Sequence, residues 1–123
     1  MNKASIERLQ KVHPDLQRVI FRAEKETSQV FIVTEGIRTL ERQKELLAKG
    51  ASRTLKSRHL TGHAVDLAVM IGKEVRWDWP LYYTLADTVK QAAAAEGVPI
   101  EWGGDWVKFK DGPHFQLPWA AYP

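Results

Sequence analysis

Hydrophobic positions change period several times along the chain, and each change marks an element. Between residues 14 and 26, Leu16, Val19, Ile20 and Ala23 recur at helical spacing with charged residues among them. That pattern predicts an amphipathic helix with one buried stripe. Pro14 suits its first turn. It also ends a shorter helix upstream, because the residue before a proline avoids the α region. Ser5 is expected to cap that first helix. QVFIVT (29–34) is short, apolar and β-branched and reads as a buried strand. Thr39 is expected to cap a third helix that carries Leu40, Leu46 and Leu47, with Gly50 at its C′ position.

The stretch from Ala51 to Thr61 is polar and reads as a loop. HAVDLAVM (63–70) alternates as a strand, with KEVRW (73–77) as its hairpin partner across Ile71-Gly72. Residues 80–96 predict a helix that Pro80 starts and Gly97 stops. Short strands are expected at Ile100–Trp102 and His114–Leu117. Helices and strands do not alternate regularly, so the predicted class is α+β: a single small domain, 1–123, with an antiparallel sheet and flanking helices.

Composition narrows the chemistry. At 123 residues and 14.0 kDa the chain has the size of one domain and no internal repeat or linker. There is no cysteine, which removes disulfides, thiolate zinc fingers, iron–sulfur clusters and a cysteine nucleophile. A transition metal would have to rest on His, Asp or Glu. No apolar run is long enough to span a membrane, and the charged N-terminal segment does not read as a signal peptide.

Charge is unevenly spread. Residues 1–62 hold 13 Lys+Arg against 7 Asp+Glu, and residues 63–123 hold 5 against 8. Lys49, Arg53, Lys56 and Arg58 form a basic stretch without an acid, suited either to a polyanion or to plain solvation. The acidic C-terminal half and the lack of a helix-turn-helix or aromatic-basic platform argue against a nucleic-acid binder.

Three acceptor-bearing residues stand out: His59, Asp66 and His114. On the strand from 63 to 70, Ala64, Asp66 and Ala68 share one face, while Val65 and Leu67 point to the core. On the last strand His114 and Gln116 share a face, opposite Phe115 and Leu117. If these strands are neighbours, His59, Asp66 and His114 converge as two imidazoles and a carboxylate, a common catalytic zinc set with one position left for water. Taken singly, each histidine is as readily a structural residue. Asp111 lies three residues before His114, and Gly112-Pro113 forces a turn between them. Such a turn could bring the carboxylate beside the metal as a general base. Arg38, just after the first strand, could hold a substrate carboxylate or an oxyanion, or simply pair with Glu35 or Glu41. Trp102, Trp106 and Phe115 are candidates to line a groove.

SRHLTGHAVD (57–66) fits Ser-x-His-x-x-Gly-x-Ala-x-Asp at Ser57, His59, Gly62, Ala64 and Asp66. In this it resembles the zinc peptidases that include D-alanyl-D-alanine carboxypeptidases, dipeptidases and hedgehog domains. EGIRTLERQKELLAKG (35–50), EWGGDW (101–106) and DGPHFQL (111–117) more narrowly resemble phage endolysins of the L-alanyl-D-glutamate peptidase branch. The resemblance runs from about Val12 to Leu117. It implies one zinc on His59, Asp66 and His114, Asp111 as general base and acid, and Arg38 in substrate or oxyanion binding. His63 falls at a free position of the pattern and is not counted as a ligand, and Ser57 is expected to orient the loop. The implied substrate is the peptidoglycan stem peptide. The protein is expected to be a monomer; the resemblance implies a lysin without a separate cell-wall-binding domain, held in the host cytoplasm until a holin opens the membrane. A D,D-carboxypeptidase and a catalytically silent hedgehog-like zinc module are the alternatives.

Overall fold

The computed structural model describes residues 1–52 and 56–123. Its first helix, α1 (Lys3–Leu9), is capped by Asn2 and not by Ser5: the Asn2 side chain accepts from the Ser5 N–H at 2.8 Å. Asparagine caps as well as serine, which releases Ser5 for another task. Ser5 is fully buried, and its Oγ accepts from the Val33 N–H at 2.9 Å, tying α1 to the first strand.

The second helix, α2 (Pro14–Glu26), starts where Pro14 predicts, with His13 Nδ1 accepting from the Asp15 N–H. Its buried residues are Leu16, Val19, Ile20 and Ala23, the stripe read from the periodicity. That stripe packs against α4 (Trp79–Glu96), which Gly97 ends in the left-handed conformation at φ 69°. Arg18 and Arg22 of α2 both reach Glu96 of α4 at the rim; exposed pairs of this kind add little.

The strands are β1 (Val30–Glu35), β2 (Ala64–Ile71), β3 (Glu74–Arg76), β4 (Glu101–Trp102) and β5 (His114–Gln116). All pair antiparallel in the order β1-β2-β5-β4, with β3 beside the far end of β2. β2 is therefore central, and its alternation divides the molecule. Val65, Leu67 and Val69 join Phe115, Leu117 and the helical stripes in one hydrophobic core. Asp66, His114 and Gln116 face the other way. The expected α+β domain with flanking helices is thus what forms, its helices α1, α2 and α4 gathered on the core face.

The third helix, α3 (Leu40–Ala48), differs in how it is held. Thr39 caps it, and Gly50 follows it at φ 74°, both as predicted. Its leucines, however, stay out of the core: Leu40 and Leu47 are exposed, Leu46 is half-buried at the cleft, and its one fully buried side chain is Gln43. The helix is tied through Gln43 to Arg38, just past the end of β1, and to Ser52.

Candidate metal centre

His59 reaches the site from a tight 3-10 turn, Arg58–Thr61, that packs against β2. Ser57 starts this turn by accepting from the His59 N–H at 3.2 Å, and Gly62 ends it at φ 75°, a conformation that costs glycine little. Ser57 and Gly62 of the sequence motif thereby shape the loop. Asp66 stands on β2, and β5 sets His114 directly opposite it. The three residues singled out in the sequence thus come together, with ligand atoms all within 4.8 Å of one another.

Their hydrogen bonds decide which atoms face inward. His59 Nδ1 lies 2.7 Å from the Gly36 carbonyl, which can only accept, so Nδ1 carries the proton and Nε2 the lone pair. Gln116 donates from Nε2 to the Glu101 carboxylate at 2.6 Å, which turns its Oε1 to His114 Nε2 at 2.7 Å. His114 Nε2 therefore carries a proton, and Nδ1 holds the lone pair. His59 Nε2 and His114 Nδ1 each lie 3.3 Å from the same oxygen, Asp66 Oδ1. Three acceptors pointing at one spot repel unless a proton or a cation lies among them.

The edge of a tetrahedron with metal–ligand bonds of ~2.0–2.1 Å is roughly 3.3–3.4 Å, so the two separations from Asp66 Oδ1 match edges of a zinc site. Both imidazoles also have the outer hydrogen-bond partner that fixes a metal-binding histidine. Without an ion, protons serve instead. Burial alone would raise the Asp66 carboxyl, but hydrogen bonds from His114 and His59 overcome it and hold the group well below the usual range. Burial pulls His114 down, but Asp66 outweighs it and the imidazole's pKa ends up raised.

Asp111 is half-buried in the cleft above these groups. Its burial, and then the charge of Asp66, push its carboxyl up. The turn from Asp111 to His114 rests on Gly103: Asp111 N–H donates to the Gly103 carbonyl at 3.0 Å. A Cβ on Gly103 would stand 2.4 Å from the Asp111 carbonyl oxygen. Trp102 Nε1 also donates to the Gly112 carbonyl at 2.7 Å. EWGGDW and DGPHF are therefore one packed unit.

Arg38 borders the same cleft, with its Nη2 3.8 Å from Asp66 Oδ2. Its fork is engaged: Nε and Nη2 donate to the Glu35 carboxylate at 2.5 and 2.8 Å, and Nη1 donates to Gln43 Oε1 at 2.7 Å. The pairing with Glu35 weighed from sequence thus forms, and it does so inside the site.

Other expectations need correction. Trp106 lines the cleft and packs on His114 with centroids 5.1 Å apart. Trp102 and Phe115, by contrast, are core residues on the opposite face. Arg58 is not a surface cation: it is buried, donates to the Leu117 and Tyr122 carbonyls and stacks on Trp119. Arg53 lies outside the described residues. Lys56 is exposed at the cleft, which has a volume of about 540 Å³. Sequence reasoning missed Gln43 and Glu101 as supports of the site, and it weighed Glu35 only as the alternative to a site role for Arg38. Only the arginine at the strand end hinted that an acid and an amide near it would be needed.

Comparison with known proteins gives the context. The model of the family described as phage L-alanyl-D-glutamate peptidase matches residues 1–117. A protein of Listeria phage A118 named L-alanyl-D-glutamate peptidase is 40% identical over 91 residues, which are 74% of this chain and 31% of that protein. The chain thus spans about a third of that relative's length. The crystal structure of the Serratia marcescens L-Ala D-Glu endopeptidase ChiX superposes with a TM-score of 0.94 at 48% identity, covering 100% of this chain and 92% of that one. The vancomycin-resistance D,D-dipeptidase VanXYg shares the fold, with a TM-score of 0.61 at 19% identity over 86% of this chain and 50% of its own. With the family model matching nearly its whole length, the chain belongs to the phage L-alanyl-D-glutamate peptidase family.

Proposed function

We propose that this chain is a zinc peptidase that hydrolyses the amide between L-alanine and D-glutamate in the peptidoglycan stem peptide. The observation that carries the reading is the convergence of two imidazole lone pairs on one carboxylate oxygen, in a cleft that also holds Asp111. His59, Asp66 and His114 would hold the ion. Bound there, zinc would supply a Lewis acid for the scissile carbonyl and lower the pKa of water.

Asp111 takes the proton of the attacking water on a carboxylate oxygen and delivers it to the leaving amine of D-glutamate. A carboxylate at this place in the cleft can hold the proton between the two transfers. Arg38 keeps a positive charge at the cleft wall, where negative charge develops on the substrate carbonyl oxygen. With Glu35 and Gln43 on its fork, this role fits it better than bidentate capture of a substrate carboxylate. Lys56 and Lys108, both at the cleft, are placed to attract the free α-carboxylate that a γ-linked D-glutamate presents. In a lytic cycle the domain, acting as a monomer, would reach the wall from the host cytoplasm after a holin opens the membrane.

Mass spectrometry of purified peptidoglycan after digestion tests the reading. The expected products carry new N-terminal D-glutamate and intact terminal D-alanine. Free D-alanine with the alanine–glutamate bond uncut would make the protein a D,D-peptidase, and no product at all would fit a silent binding module.

A further inference from the structure

A helix normally docks by its apolar stripe, yet the buried side chain of α3 is an amide. Gln43 is fully buried, and a buried amide must have its groups satisfied. Its orientation is fixed by chemistry: a guanidinium only donates, so Oε1 faces Arg38 Nη1 at 2.7 Å, and Nε2 donates to Ser52 Oγ at 2.7 Å. Arg38 is thus held on one edge by Glu35 and on the other by Gln43, while Nη2 remains 3.8 Å from Asp66 Oδ2. With Glu35 alone, the guanidinium would be free to move together with that one partly exposed carboxylate.

We infer that Gln43 is a positioning residue: it fixes the plane of the Arg38 guanidinium over the cleft and links it to Ser52 on the cleft wall. This rests on the proposed role of Arg38 in the peptidase reaction. The amide suits the task because it is neutral. It restrains the arginine without adding a further negative charge, as a second carboxylate beside Glu35 would.

The test measures the rate on whichever peptidoglycan bond the wild type cuts, so that a wrong bond assignment does not decide it. Zinc content and the side-chain 15N–1H signals of Arg38 are read in parallel. Gln43→Met should keep zinc, lower kcat about ten- to a hundredfold with little change in KM, and broaden the Arg38 signals as the guanidinium gains rotation. Gln43→Glu keeps an acceptor for Arg38 and should restore the sharp arginine signals even if its added charge slows the reaction. Arg38→Ala should cost more than Gln43→Met, and the double variant should be no slower than Arg38→Ala alone, because Gln43 acts through the arginine. Additive losses, unchanged Arg38 signals in Gln43→Met, or a loss of zinc that accounts for the rate would each overturn the inference. If Gln43→Met does not fold, sharp Arg38 signals absent from Gln43→Glu would overturn it as well. A wild type without peptidase activity would instead refute the proposed function.

Discussion

Gly103→Ala is the substitution through which packing and chemistry can be measured together. Gly103 has a negative φ, so any residue could adopt its backbone; what excludes a side chain is space. An added Cβ would meet the Asp111 carbonyl oxygen at 2.4 Å, and the Cβ atoms of Asp111 and His114 at 3.1 Å each. Ordinary van der Waals contact begins near 3.4 Å, so the turn must retreat by about 1 Å. The nearest obstacle is backbone, anchored by the hydrogen bond from Asp111 N–H to Gly103 O, and cannot rotate away. Overpacking of this kind costs about 1–3 kcal/mol, or a Tm lower by roughly 4–12 °C for a chain of this size. Because the retreating turn carries both Asp111 and His114, the rate should fall by about 100-fold, the usual consequence of a 1 Å misplacement. Thermal unfolding by circular dichroism gives the first number, and release of soluble fragments from purified peptidoglycan gives the second. Gly50→Ala is the control, since a Cβ there meets nothing within 4 Å and only its positive φ is strained. A Gly103→Ala protein with the melting temperature and rate of the wild type would refute the account of EWGGDW as the support of the turn that carries Asp111 and His114.

Asp111→Asn should retain zinc and fold but lose about 100- to 10,000-fold in rate, checked by metal analysis beside the lytic assay; activity within a few-fold of wild type would assign the proton transfer elsewhere. Ser5→Ala orphans the buried Val33 N–H and should lower stability by about 1–3 kcal/mol in urea unfolding, with the rate unchanged in the folded protein. His63 has its pKa lowered by burial, then by Arg58 and His13, so the unfolded chain takes up its proton at a higher pH than the folded one. Stability should therefore fall as pH drops below about 6.5; in His63→Gln the fall in Tm between pH 7.5 and 5.5 should be smaller, and an identical slope would remove His63 as a contributor.

Local rules determined most of the elements. Pro14, Thr39, Gly50, Pro80 and Gly97 each act through backbone constraints that need no distant partner, and each stands where the sequence places it. The two-residue period of β2 and β5 likewise decided which side chains meet the core and which meet the cleft, so His59, Asp66, Asp111 and His114 were legible once a neighbourhood of the two strands was assumed. That neighbourhood itself is tertiary: only the pairing of Asp66 with His114 across 48 residues brings the acceptors within reach. The same dependence on distant partners explains the misreadings. Asn2 displaced Ser5 as a cap because Val33 needed the serine hydroxyl, and Arg58 left the surface because the Leu117 and Tyr122 carbonyls needed a donor. The leucines of α3 predict a helix docked on the core, but its fully buried side chain is Gln43, which meets the Arg38 guanidinium. A polar side chain's place depends on which unpaired group lies opposite it, and only the folded chain brings the two together.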